Sequence, residues 1–185
     1  MRITSGRLRG LRLKAPKGAD IRPMMDRVRK ALFDVLGEKV EGARVLDLFC
    51  GTGALGIEAL SRGAGEVVFV DQSPQALALV RENLRRAKIE EGARIKRLTL
   101  PRDLSRLEKE GPFDLVFVTP PYGRGLAAKT LPQLPKLVAP GGLVVVEERA
   151  EEEVPCPEGL ELLKEKTYGA TRLFFFRRPE LDQGA

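Results

Sequence analysis

Three short stretches carry residue types whose spacing suits chemistry. The first is Asp47-Leu-Phe-Cys-Gly-Thr-Gly53. A carboxylate inside an apolar run must be paired or stand at the strand's ligand-facing end, because burying it bare is costly. Gly51 and Gly53 let the backbone take positive φ and let a ligand come close. Behind them a helix N-terminus offers unpaired N–H groups and a partial positive charge. Asp47 therefore reads as an acid that contacts a cationic or amino-bearing ligand, or, more plainly, as a cap on the turn. Gly51 to Gly56 also fits Gly-x-Gly-x-x-Gly, a weak signal alone. The second stretch ends in Asp71, twenty residues after Gly51. At that offset a carboxylate can accept from both hydroxyls of a ribose. The alternative is helix capping ahead of Pro74, with Ser73 competing as the N-cap. The third is Thr119-Pro120-Pro121-Tyr122. The Thr119 hydroxyl and the Pro120 carbonyl are hydrogen-bond acceptors, and Tyr122 sets an aromatic ring beside them. Taken alone, Pro-Pro-Tyr reads more simply as a loop.

The elements that must hold these stretches follow from periodicity. Val45, Leu46, Leu48 and Phe49 form a short apolar run, the mark of a strand buried on both faces. Ala54, Leu55, Ile57, Ala59 and Leu60 recur near a helical period, so strand, glycine turn and helix follow in order. Glu66–Asp71 reads as a second buried strand, and Pro74–Lys88 as a helix with Pro at its first position. Residues 93–99 suggest a third strand and 102–110 a short helix. Phe113–Val118 is a central strand that two prolines end, since neither can donate a ladder hydrogen bond. Residues 126–138 form a helix interrupted by Pro132 and Pro135. Leu143–Glu148 is a fifth buried strand, ending in Glu147 and Glu148 at the ligand edge or as surface salt-bridge material. Leu160–Lys166 and Thr171–Arg178 read as a closing hairpin. Near the start, residues 1–14 read as a small hairpin, basic on one face. A loop covers Ala15 to Pro23. A helix then runs from near Met24 or Asp26 to Gly37, with Val28, Ala31, Leu32, Val35 and Leu36 as its apolar stripe. Alternating strands and helices predict an α/β sheet with its ligand at the C-terminal edge of the strands.

Composition narrows the function. The 185-residue chain suffices for one α/β domain and a short extra element. No apolar run approaches a membrane span and no secretory leader is visible, so a cytoplasmic location is expected. Two cysteines, Cys50 and Cys156, and no histidine argue against a zinc site and exclude Ser-His-Asp and Cys-His hydrolases. No metal is expected. The first thirty residues hold ten basic and two acidic side chains, a net of +8, which leaves about −2 for the rest of a chain whose total is +6. A basic end on a near-neutral body is an electrostatic footprint of nucleic-acid binding, although basic surfaces also serve solubility alone.

Asp47-Leu-Phe-Cys-Gly-Thr-Gly53 resembles motif I of the class I methyltransferases, which bind S-adenosylmethionine. Thr119-Pro-Pro-Tyr122 resembles motif IV, Asp/Asn-Pro-Pro-Tyr/Phe, of those acting on exocyclic or amide nitrogens. Thr119 departs from it, with neither the charge nor the second oxygen of Asp. Other blocks extend the match: Ile3-Thr-Ser-Gly-Arg-Leu-Arg-Gly-Leu-Arg-Leu13, Arg22-Pro-Met-Met-Asp-Arg-Val-Arg-Lys-Ala-Leu-Phe33, Glu58-Ala-Leu-Ser-Arg-Gly-Ala64 and Tyr168-Gly-Ala-Thr171. Together they make nearly the whole chain similar to the bacterial RsmD family, 16S ribosomal RNA guanine-N2 methyltransferases acting on guanine 966. Met24-Met25 stands where that family usually shows Thr-Thr.

The resemblance implies a Rossmann-like class I methyltransferase sheet, mostly parallel with a terminal antiparallel hairpin. It implies a basic RNA-binding extension over residues 1–38, a methyltransferase domain over 39–178 and a frayed tail over 179–185. S-adenosylmethionine would be held by Asp47, Phe49, Gly51, Gly53, Asp71, Gln72 and Thr99; for its adenine, Thr99 and Asp103 both remain candidates. Thr119, Pro120, Pro121 and Tyr122 would hold the guanine, and Arg7, Arg9, Arg12, Arg22 and Arg27 the RNA. The partner would be 16S rRNA or a 30S assembly intermediate, met by a monomer. Rival readings are an adenine-N6 or glutamine-N5 methyltransferase, a nicotinamide dehydrogenase, and an RNA-binding member weakened by Thr119.

Overall fold

The computed structural model describes residues 1–17 and 23–180. Arg22, most of the loop expected between Ala15 and Pro23, and the tail from residue 181 lie outside the described residues. The described residues form an α/β fold with seven strands, mostly parallel, alternating with helices. By contact the chain divides into two compact units, residues 1–99 and residues from Leu100 onward. Among the described residues no helix is long and apolar enough to cross a membrane.

In the first unit β1 (Arg44–Leu48), β2 (Glu66–Asp71) and β3 (Ala93–Arg97) run parallel. Val45, Leu46, Leu48 and Val67 to Val70 are fully buried, as continuous apolar runs require in a sheet covered on both faces. All eight residues of α2 (Ala54–Ser61) are buried. Helix and strand approach closely because Gly56 has no side chain: a Cβ there would stand 2.3 Å from the Phe69 ring. Helix α3 (Pro74–Arg86) starts as expected, with Pro74 in its first turn and the Ser73 hydroxyl accepting from the Ala76 N–H at 3.2 Å.

Helix α1 (Asp26–Leu36) forms where its periodicity predicts, but its stripe differs. Val28, Leu32 and Leu36 are buried together with Phe33 and Arg29, whereas Ala31 and Val35 are only half-buried. A polar residue reads as solvent-facing in a periodicity argument, so Arg29 escaped it. Residues 1–13 form a hairpin that carries a single antiparallel bridge, Arg2 to Arg12, rather than two full strands. Ile3 N–H donates to the Leu11 carbonyl at 2.9 Å and Leu13 N–H to the Met1 carbonyl at 2.9 Å. Ile3 and Leu13 point inward while Arg2, Arg7, Arg9 and Arg12 are exposed.

In the second unit β4 (Phe113–Val118) runs parallel to β5 (Val138–Arg149), and β5 pairs antiparallel with β7 (Thr171–Arg177), which pairs with the edge strand β6 (Glu161–Tyr168). Leu173 to Phe176 are buried on β7. The 102–110 helix is shorter than expected, a 3₁₀ turn over Leu104–Leu107. The interrupted helix resolves into α4 (Leu126–Thr130) and a 3₁₀ stretch over Leu131–Lys136, as the two prolines demand.

Candidate active site

The first unit gathers one group of the expected residues at the C-terminal ends of its parallel strands. Asp47, in β1, is 1% exposed. Its Oδ2 accepts the Gly56 N–H at 3.2 Å, and its Oδ1 has no hydrogen-bond partner among the described residues. Burial pushes this carboxyl well above its usual range, the nearby Asp71 charge adds to the shift, and the Gly56 hydrogen bond opposes it. Asp71 closes the turn from β2. Its Oδ2 accepts the Gly51 N–H at 3.0 Å and its Oδ1 the Ser73 N–H at 3.0 Å. Capping and hydroxyl binding are thus compatible, since each oxygen keeps a lone pair beyond these bonds.

Gly51 and Gly53 have φ of +56° and +83°, the conformation for which glycine is suited. Phe49 also takes positive φ, at +57°, an uncommon state for a bulky side chain and one that clusters at ligand sites. The buried Cys50 thiol is pushed up by desolvation and by the charges of Asp47 and Asp71, so it is an inert neighbour rather than a nucleophile. Gln72 is exposed, and its carbonyl accepts from the Arg97 side chain at 3.1 Å. Thr99, half-buried, lies two residues beyond β3. A glycine turn closed by two strand-end acids, one of them with an unfilled buried oxygen, fits a ligand that carries an amino group and a ribose.

The second unit gathers the other group. Thr119 is half-buried, Pro120 buried, Pro121 exposed and Tyr122 half-buried at the end of β4. The Tyr122 hydroxyl lies 2.8 Å from Thr171 Oγ1, at the start of β7, so the ring is held at both ends. Glu147 and Glu148 are 4% and 2% exposed, which corrects the surface salt-bridge reading. Glu148 accepts the Arg149 N–H at 2.9 Å and is also held by the backbone N–H of Gly123, the residue after Tyr122. Its carboxyl is raised by burial, against the pull of these two bonds.

The basic segment is fixed to α2 by a cluster that sequence reasoning missed. Glu58, 0% exposed, pairs with the equally buried Arg29 at 3.0 Å and with Arg62 at 3.1 Å. It also accepts the backbone N–H groups of Thr4 and Ser5 at 3.0 and 3.2 Å. Arg29 bonds further to the Arg2 carbonyl and to Asp26. A signal existed: an acid inside a helix as apolar as Ala54–Leu60 needs a cation. Ser61 continues the seam, accepting the Arg7 N–H on its carbonyl and the Leu8 N–H on its hydroxyl, both at 2.9 Å. Gly6 makes this approach possible, because a Cβ there would stand 2.0 Å from the Ser61 carbonyl oxygen. The arginines themselves, Arg7, Arg9 and Arg12, together with Arg27 on α1, remain exposed.

The family described as "Conserved hypothetical protein 95" matches residues 1–177. "Ribosomal RNA small subunit methyltransferase D" of Escherichia coli (strain K12) is 34% identical over 182 residues, covering 96% of this chain and 90% of that protein. The protein of the same name in Haemophilus influenzae is 33% identical over 172 residues, covering 91% and 89%. A solved structure of a hypothetical protein from Thermus thermophilus superposes with a TM-score of 0.81 at 37% identity, covering 98% of this chain and 99% of that one. On the match along residues 1–177 and these full-length likenesses, the chain belongs to the Conserved hypothetical protein 95 family, the RsmD family of class I methyltransferases.

Proposed function

We propose that this protein transfers a methyl group from S-adenosylmethionine to the exocyclic N2 amine of a guanine in 16S rRNA, guanine 966 by family resemblance, during small-subunit biogenesis. The observation that carries the reading is the glycine turn closed by Asp47 on the Gly56 N–H and by Asp71 on the Gly51 N–H. The relatives named as small-subunit rRNA methyltransferases support the substrate class. Residues 1–38 serve as the RNA-binding extension and residues 39–178 as the methyltransferase domain.

Gly51 and Gly53 lie against the methionine part of the cofactor, with Asp47 behind them toward its amino group. Phe49 borders the same corner. Asp71 accepts from the ribose hydroxyls, and Gln72 and Thr99 flank the adenosine. When bound, S-adenosylmethionine supplies an already activated methyl on a sulfonium, so the chain needs no activating base for the donor. Its task is alignment. The Thr119 hydroxyl and the Pro120 carbonyl accept from the guanine amine, turning its lone pair out of conjugation with the ring. Pro121 keeps the segment free of ladder hydrogen bonds. Tyr122 stacks on the base, its ring oriented by the Thr171 hydroxyl. Arg7, Arg9, Arg12 and Arg27 hold phosphates, and Arg22 belongs to the same basic segment.

The test is incubation of the purified protein with labelled S-adenosylmethionine and unmethylated 30S subunits, followed by mapping of the modified base. Label on one guanine N2 of 16S rRNA is expected. Label only on DNA, on adenine or on a release factor would overturn the substrate. Thr119 favours a second reading, an RNA-binding member with weakened catalysis. That reading fails if the wild type turns over as fast as its Thr119→Asp variant.

A further inference from the structure

Asn83 is a buried polar side chain that the site description leaves without a role. It projects from α3, is 0% exposed, and spends its amide on two partners of different kinds. Its Oδ1 accepts the Lys14 N–H at 2.6 Å, and its Nδ2 donates to the Lys14 carbonyl at 3.3 Å and to the Thr52 carbonyl at 3.0 Å. Lys14 directly follows the basic hairpin. Thr52 is the residue between Gly51 and Gly53. A second contact reaches the same residue from the other strand of the hairpin. Met1 Sδ lies 3.9 Å from Thr52 Oγ1, and the Met1 carbonyl accepts the Leu13 N–H at 2.9 Å. Thr52 Oγ1 in turn accepts the N–H of Ala54, the first residue of α2. Both ends of the hairpin therefore bear on the middle of the glycine turn.

We propose that Asn83 is a positioning residue that couples the basic hairpin to the glycine turn, so that RNA held by the hairpin and cofactor held by the turn strengthen each other's binding. The inference rests on the functional reading above. Both amide hydrogens of Asn83 are committed, and because Asn83 and Thr52 are buried, releasing the second one takes a donor from the buried Thr52 carbonyl. Hairpin and turn thus keep their register or lose it together. A ligand that orders one orders the other, and the coupling is the same in both directions. Arg7, Arg9 and Arg12 provide the handle for RNA on the hairpin side, and the Gly51–Gly53 backbone the handle for cofactor on the other.

The experiment is calorimetry of S-adenosylhomocysteine binding to the full chain, with and without saturating unmethylated 16S rRNA. The wild type should bind the nucleoside about 5- to 50-fold more tightly with RNA present. Asn83→Asp keeps the acceptor for Lys14 N–H and loses the donor to Thr52, so its ratio should fall to near one while each ligand alone still binds. Asn83→Ala should do the same. Should the alanine variant fail to fold, as read by its melting curve, the near-isosteric aspartate variant decides. A purely packing role would lower the melting temperature without changing the ratio, and that result overturns the proposal. A wild-type ratio near one also overturns it, and leaves the functional reading standing provided both ligands bind. Absence of nucleoside binding under any condition brings down the functional reading and this inference with it.

Discussion

Asp71 Oδ2 accepts the Gly51 N–H at 3.0 Å, which ties the end of β2 to the turn that follows β1. One carboxylate thus shapes the turn and, on the proposed function, also accepts from the ribose. Asp71→Ala should weaken S-adenosylhomocysteine binding by about 10- to 100-fold, the worth of one or two lost hydrogen bonds to a charged group. Asp71→Asn, which still accepts one N–H, should fall between. Titration calorimetry reads both; equal affinity in all three proteins would remove Asp71 from the cofactor site.

At the end of β4, Thr119 offers a neutral oxygen where its family relatives are expected to offer a charged or amide one. Charge-assisted hydrogen bonds are roughly twice as strong as neutral ones. Thr119→Asp should therefore raise kcat by about 10-fold with little change in cofactor affinity. Thr119→Val should lower it. Single-turnover kinetics on 30S subunits would show this, and an unimpaired valine variant would mean the hydroxyl takes no part.

The Arg29–Glu58 pair is buried on both sides, so removing one partner strands the other. Arg29→Ala should cost about 3–5 kcal/mol, or roughly 6–20 °C in Tm for a chain of this size. An Arg29→Met, Glu58→Leu double variant should lose less than the two single changes summed. Additive losses in thermal melts would show that the pair is not coupled.

Glu148 gives a pH signature. Burial raises its folded-state pKa above the unfolded value, so between those two values the folded chain binds more protons. Its contribution is therefore favourable below the ordinary carboxylate range and is lost as pH rises through the folded pKa. Glu148→Gln can still accept the Gly123 N–H and carries no charge to desolvate. It should melt at or above the wild type at pH 8, with the difference vanishing toward pH 4. A variant that melts lower at pH 8 would show that the charge itself holds the Tyr122 loop.

Exposed arginines should act through salt. Replacing Arg7, Arg9 and Arg12 by alanine should flatten the plot of log affinity for 16S rRNA against log salt by about 2–3 units. An unchanged slope in filter-binding titrations would place the phosphates elsewhere.

The strands and the glycine turn were legible because their cause is local. Val45 to Leu48 and Val67 to Val70 are uninterrupted apolar runs, and few structures other than a doubly covered parallel sheet bury such runs. The position of Asp47 was legible for the same reason: an acid in that run had to have a special place. What escaped was pairwise. Arg29, Glu58 and Asn83 each look like ordinary polar residues on a helix until their partners, 29 to 69 residues away in sequence, are brought beside them. Thr171 reads only as the start of the last strand of a hairpin and the end of a resemblance block, because nothing local says that it meets Tyr122. Distances along a chain carry no information about side chains that meet through a tertiary fold.

The seam that seats the basic hairpin is built largely from main-chain atoms. Thr4, Ser5, Arg7 and Leu8 are gripped by their amides, and Ser5 also by its carbonyl. Substitution at Ser5, Arg7 or Arg9 therefore leaves most of the anchorage untouched. On the proposed function, the hairpin can exchange the side chains it offers to RNA while keeping its berth, so that surface is free to diverge faster than the scaffold that carries it.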